Sequence, residues 1–114
     1  IMSNVREING VKFLGAKLDG IDGGALRNMG DDLKQKLGSG IIVLASDLKE
    51  KVIFVAAVTD DLTDTYHAGN MIGQVARVTG GGGGGRPDMA QAGGKNPDKI
   101  EAALQKAEEI IAGK

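Results

Sequence analysis

The sequence predicts a single α/β domain over residues 1–114, with a mixed central sheet of about four or five strands, about three packed helices and a glycine-rich loop. Three observations carry that prediction. Two runs, Ile41-Ile42-Val43-Leu44-Ala45-Ser46 and Val52-Ile53-Phe54-Val55-Ala56-Ala57-Val58, are short, β-branched-rich and nearly free of polar residues, as central strands covered on both faces are. Three other segments repeat apolar residues at helical spacing. At 41% hydrophobic, 114 residues suffice to bury one core without disulfides or a structural metal.

Taken in order, Val5-Arg6-Glu7-Ile8 and Val11-Lys12-Phe13-Leu14 flank Asn9-Gly10, a dipeptide suited to a tight hairpin turn, so two paired strands open the domain. After Asp22-Gly23-Gly24, Leu26, Met29, Leu33 and Leu37 define an amphipathic helix that Gly38-Ser39-Gly40 stops. Its interior Gly30 costs roughly 1 kcal/mol against alanine, which calls for close packing or a weak helix. The two central strands follow, and the short charged connector Asp47-Leu48-Lys49-Glu50-Lys51 makes them antiparallel neighbours. Ala68, Met71, Ile72, Val75 and Ala76 give a second helix with one buried face. That helix runs into six consecutive glycines, Gly80 to Gly85, and residues 80–94 read as a loop. Asn96 as cap, Pro97 at the first position and Asp98 near the positive end start a last helix. Its stripe is Ile100, Ala103, Leu104, Ala107 and Ile111, and Gly113 ends it.

Composition excludes several classes of chemistry. With no cysteine there is no disulfide framework, thiolate metal site or thiol nucleophile, in agreement with a reducing compartment. One histidine, His67, falls short of the clusters that catalytic metals use. No apolar run is long enough to span a membrane, the first residues lack a signal peptide's apolar stretch, and an opening Ile1-Met2 is what an excised fragment would show. The net charge of −1 is spread evenly, with 8 basic and 7 acidic residues in 1–57 and 6 and 8 in 58–114, so composition does not indicate a strongly basic nucleic-acid binder. Phe13, Phe54 and Tyr66 are too few for a base-stacking platform, so any nucleic-acid contact must use backbone and cations.

Glycine, 19 of 114 residues, is the outlier. Lacking Cβ atoms, the run Gly80 to Gly85 allows a phosphate or sugar to approach backbone amides, with Arg86 adding a charged fork; the alternative is a flexible linker between helices. It has no Gly-Lys-Ser/Thr ending, and it follows a helix instead of opening a strand–helix unit, which excludes a nucleotide P-loop and a dinucleotide fingerprint.

The run Gly82-Gly83-Gly84-Gly85-Arg86-Pro87-Asp88-Met89-Ala90-Gln91-Ala92-Gly93-Gly94, preceded by Val58-Thr59-Asp60-Asp61 and His67-Ala68-Gly69, resembles the DHH-associated nucleic-acid-binding domain family, in the form found at the C-terminus of bacterial alanyl-tRNA synthetases. The similarity covers most of the chain, is clearest from Ile41 onward, and rests on a specific motif. The resemblance implies a non-catalytic module of a cytoplasmic synthetase that grips the elbow of tRNA(Ala), where the D and T loops meet, and helps one bound tRNA serve the aminoacylation and editing sites. It implies as partners that tRNA, the other synthetase domains and a second copy in a homodimer. It also implies that ATP and zinc belong to other domains, with no cofactor here. The alternatives are the substrate-binding domain of a DHH phosphoesterase, whose relatives carry a histidine after the glycines where this chain has Arg86-Pro87, and a pure assembly module.

The candidate RNA-binding residues are Gly82, Gly83, Gly84, Gly85, Arg86, Gly93, Gly94 and Lys95, joined by Lys12 and Lys34, with Lys17 and Lys36 as further phosphate-contact candidates. There is no catalytic or metal assignment. Asp60, Asp61 and Asp64 are expected to end a strand and start a helix, and His67 to be a helix-surface or partly buried residue. Gly69 and Gly73, one turn apart, are expected to permit close packing.

Overall fold

In the computed structural model, which describes residues 2–113, the chain forms six strands, three helices and three single 3-10 turns. Ile1, where the sequence reading sets the cut end of the fragment, lies outside the described residues. Strands β1 (Arg6–Ile8) and β2 (Val11–Asp19) make the expected hairpin, with Asn9 and Gly10 at φ of 53° and 78°. β2 extends past Leu14 because it pairs in parallel with β3 (Ile41–Asp47), from Phe13↔Ile41 to Asp19↔Asp47. Helix α1 (Gly23–Leu37) is the crossover between them. Its first turn is capped by Asp22, whose carboxylate accepts from Ala25 N–H at 2.9 Å, and Gly38 at φ 78° ends it.

β4 (Val52–Val58) runs antiparallel to β3, as the short connector predicts. A 3-10 turn at Asp60–Leu62 then leads to α2 (Ala68–Val78). The expected glycine-rich loop is instead a hairpin: β5 (Gly82–Gly85) pairs with β6 (Met89–Gly94), and β6 pairs with β4. The sheet therefore has six strands, in the order β1-β2-β3-β4-β6-β5, where the sequence suggests four or five. Glycines carry no side-chain signal for a strand, and this one is defined by its hydrogen bonds to β6 and by the helix above it. After a turn at Pro97–Lys99, α3 (Ile100–Ala112) closes the chain, ended by Gly113 at φ 81°. Asn96 departs from expectation: its side chain does not cap, and its Nδ2 donates to the Thr79 carbonyl at 3.0 Å.

The two sheet faces have separate cores. One gathers Phe13, Phe54, Ile72, Ile100 and Ile111 under α2 and α3; the other gathers Leu14, Leu26, Leu33, Ile42 and Val55 under α1. A fully buried side chain of this size contributes roughly 1.5–3 kcal/mol. The coverage is unequal. α2 lies over β4, β6 and β5, whereas α1 lies over β3 and β4. On the α1 side the β6–β5 edge is consequently left open. Gly30 has the packing reason the sequence asks for, since a Cβ there would lie 3.3 Å from Val55 Cγ1.

Candidate nucleic-acid interface

The glycine strand is held by α2. A Cβ on Gly73 would lie 2.9 Å from the Gly83 carbonyl oxygen, and one on Gly69 would lie 2.7 Å from Gly85 N, so these two helical glycines let the helix rest on bare strand backbone. The β5–β6 turn in return supplies the helix with acceptors. Ala68 N–H donates to Pro87 C=O at 2.8 Å and Gly69 N–H to Arg86 C=O at 3.1 Å, while Asn70 N–H donates to His67 Nδ1 at 3.1 Å. The first turn of α2 is thus satisfied by protein groups, and His67 is its cap. At the other end, the Thr79 carbonyl accepts from Lys95 N–H and Asn96 N–H at 2.9 and 3.0 Å, which pins the end of β6 to the end of the helix.

Alternate glycines of β5 have different surroundings. A Cβ on Gly83 would be 2.6 Å from Ala92 Cα and one on Gly85 would be 2.9 Å from Ala90 Cα, so both positions are closed by the neighbouring strand. Gly82 has nothing within 4 Å, and Gly84 meets only the Gly69 carbonyl at 3.9 Å. All four are exposed. As the last strand of the sheet, β5 also turns half of its N–H and C=O groups away from β6. Bare peptide planes and free backbone donors lie side by side, with no side chain to hold a nucleotide at a distance.

A shallow groove of about 570 Å³ runs along this edge, lined by Gly82, Gly93, Ile53, Gln91, Lys51 and Lys95. It joins most of the glycine-motif candidates: Gly82, Gly83, Gly93, Gly94 and Lys95 line it, Gly84 and Gly85 continue the strand, and exposed Arg86 follows, 3.3 Å from Asp88. Gly94 itself is buried, facing Thr79 and Phe54, and contributes backbone alone. Lys12 and Lys34 do not belong to this cluster. Lys12 is on β2, four inter-strand spacings or about 19 Å from β5. Lys34, in the last turn of α1, lines a separate depression with Gly38, Thr59 and Asp61. Lys17 is 3.8 Å from Asp47.

The sequence reading missed Lys51, Ile53 and Gln91. The signal was the alternation Met89, Gln91, Gly93, which places those residues on one face once the segment is a strand, and which carries no meaning in a loop. Asp60 and Asp61 sit in the turn after β4, and Asp61 accepts from the Ser39 hydroxyl. That bond, followed by one from Thr59, lowers the Asp61 pKa below its ordinary 3.8. No group of three His, Asp or Glu among the described residues is placed to hold a metal ion, and no helix is long and apolar enough to cross a membrane.

The DHHA1 domain family matches residues 10–113. The chain is 54% identical to the alanine-tRNA ligase of Oceanobacillus iheyensis and 51% identical to alanine-tRNA ligase 1 of Lachnoclostridium phytofermentans, each over 97% of this chain and 13% of the ligase. It spans about an eighth of the length of those relatives. Among solved structures, the C-Ala domain from Aquifex aeolicus alanyl-tRNA synthetase superimposes with a TM-score of 0.91 at 33% identity, covering 96% of this chain and 98% of that one.

Proposed function

The chain belongs to the DHHA1 domain family, in the form of the C-Ala domain, a non-catalytic module of alanine-tRNA ligase, and from that premise we propose that it binds the elbow of a tRNA through the β5–β6 edge. The observation that carries this reading is the bare glycine edge itself. Peptide planes at Gly82, Gly84 and Gly93 lie beside outward-facing backbone groups, with Lys51 and Lys95 at the rim of the groove. A surface of this kind suits shape and sugar–phosphate recognition, and the half-buried Ile53 offers an apolar contact to an exposed base pair. It does not suit reading a run of base edges, for which it has too few side chains.

In this reading the chain is one domain of a longer synthetase, and it helps a bound tRNA(Ala) reach both the aminoacylation and editing sites in the cytoplasm. ATP and zinc act in other domains, and this one takes no cofactor. The second copy of a homodimer is a further partner.

Binding of the chain to intact tRNA(Ala), against a tRNA whose D and T loops can no longer meet, tests the proposal. Preference for the intact molecule by about 10-fold or more supports it. Equal binding to both overturns the elbow assignment. Tight binding only to short single strands favours the phosphoesterase-type alternative.

A further inference from the structure

Among the residues lining the groove, Gln91 is the neutral hydrogen-bonding side chain, and it is preset. Gln91 is paired with Gly84 across the β5–β6 ladder and lies on the groove side of the sheet. Its Oε1 accepts from Arg27 Nη1, reaching across from α1. Arginine can only donate, so the atom facing Arg27 must be the oxygen, and the amide nitrogen is turned the other way. There it lies against Gly23, in the first turn of α1, where a Cβ would be 2.7 Å from Gln91 Nε2. Gly23 is not at a positive φ, so nothing in the backbone demands glycine at this first helical position. The missing methyl leaves space for the carboxamide. Among the described residues Nε2 makes no hydrogen bond, and no buried side-chain nitrogen is left without a partner, so this donor is open to solvent.

Resting on the RNA-binding reading above, we propose that Gln91 is a specificity-determining donor to a nucleotide oxygen on the glycine edge, with Arg27 and Gly23 as its positioning residues. Arg27 holds the oxygen and so leaves the amide nitrogen as the end that can donate to a ligand. Gly23 keeps the amide from being pushed off that line. A neutral donor held this way adds discrimination for a correctly seated nucleotide without adding to the ionic attraction that any RNA would feel.

Four single variants of the chain and one double variant, measured for tRNA binding across a salt series and for thermal melting, test this. Gln91→Met keeps the length and loses the donor; it should melt like the parent, bind intact tRNA about 5- to 10-fold more weakly, and lose part of the preference for intact over loop-disrupted tRNA. Gln91→Glu should weaken binding at least as much, since a carboxylate pairs well with Arg27 yet donates nothing. Gly23→Ala displaces only the end of the Gln91 side chain, so it should melt close to the parent and still weaken binding, a loss that a purely structural glycine would not give without a fall in melting temperature. Arg27→Met should weaken binding in the parent and not in the Gln91→Met background, with the salt slope unchanged.

Parent-like affinity and preference in Gln91→Met would overturn the proposal while leaving the elbow reading intact. An Arg27→Met loss that persists in the Gln91→Met background and flattens the log–log salt slope by about 0.7–0.9 would make Arg27 a phosphate contact and overturn its positioning role. Absence of tRNA binding by the parent itself would sink the elbow reading, and this inference with it.

Discussion

Gly69 of α2 rests on Gly85 of β5 with no room between them for a side chain: a Cβ on Gly69 would sit 2.7 Å from the Gly85 nitrogen and 2.9 Å from its carbonyl carbon. The neighbouring backbone is the obstacle, and backbone cannot rotate aside as a side chain can. The helix therefore defines the position of the glycine edge, and the edge depends on the helix remaining bare at that point.

Gly69→Ala is accordingly expected to destabilise the chain by about 1–3 kcal/mol, as overpacking does. Gly73→Ala, which meets the Gly83 carbonyl oxygen at 2.9 Å and little else, should cost less. Urea unfolding of both variants checks the order. Equal stability of Gly69→Ala and parent would mean that the helix can lift off the strand at no cost.

Within β5 the alternation of surroundings separates stability from binding. Gly82→Val enters open space, so it should leave the melting temperature unchanged or raise it, while placing a branched side chain in the groove and weakening tRNA binding about 10-fold. Gly83→Val, which runs into Ala92, should lower the melting temperature instead. Arg86→Ala should affect binding less than Gly82→Val, because Arg86 is 75% exposed and ion-paired with Asp88. Melting curves and tRNA titrations on the same samples distinguish the three.

Binding to tRNA should weaken with salt along a shallow line. The groove has Lys51 and Lys95 at its rim with Arg86 beyond them, and each neutralised phosphate contributes about −0.7 to −0.9 to the log–log slope. A slope steeper than about −5 would require more cations than this edge brings together, and would direct attention to Lys12 on β2 and Lys34 on α1, both outside the groove.

The Ser39–Asp61 hydrogen bond makes a small pH-dependent contribution. Its carboxyl is held below 3.8 in the folded chain, so the unfolded chain binds its proton first on acidification. The stabilisation is fully present above 3.8 and is lost as pH falls through the lower folded value. Ser39→Ala should reduce stability at neutral pH and flatten the acid limb of the melting-temperature profile below 3.8, with no change in tRNA affinity. Identical acid limbs in the two proteins would show that this bond does not contribute.

Much of this architecture is determined by the sequence alone. The hairpin about Asn9-Gly10, the two buried antiparallel strands, the three helices and their apolar stripes follow from side-chain periodicity and turn chemistry, which act over a few residues. The glycine run with Arg86-Pro87 and the motif after it also indicates the family from sequence. Only the tertiary structure decided that the glycines form a strand. A residue with no side chain has no pattern to read, and its state is set by what lies beside it, here the β6 ladder and the two bare positions on α2. The same cause hid Gln91, whose face has meaning only in a strand and whose partner Arg27 lies 64 residues away in the chain. Lys12 is separated from the glycine edge for a related reason: strand order across a sheet is set by long-range pairing that no local pattern specifies.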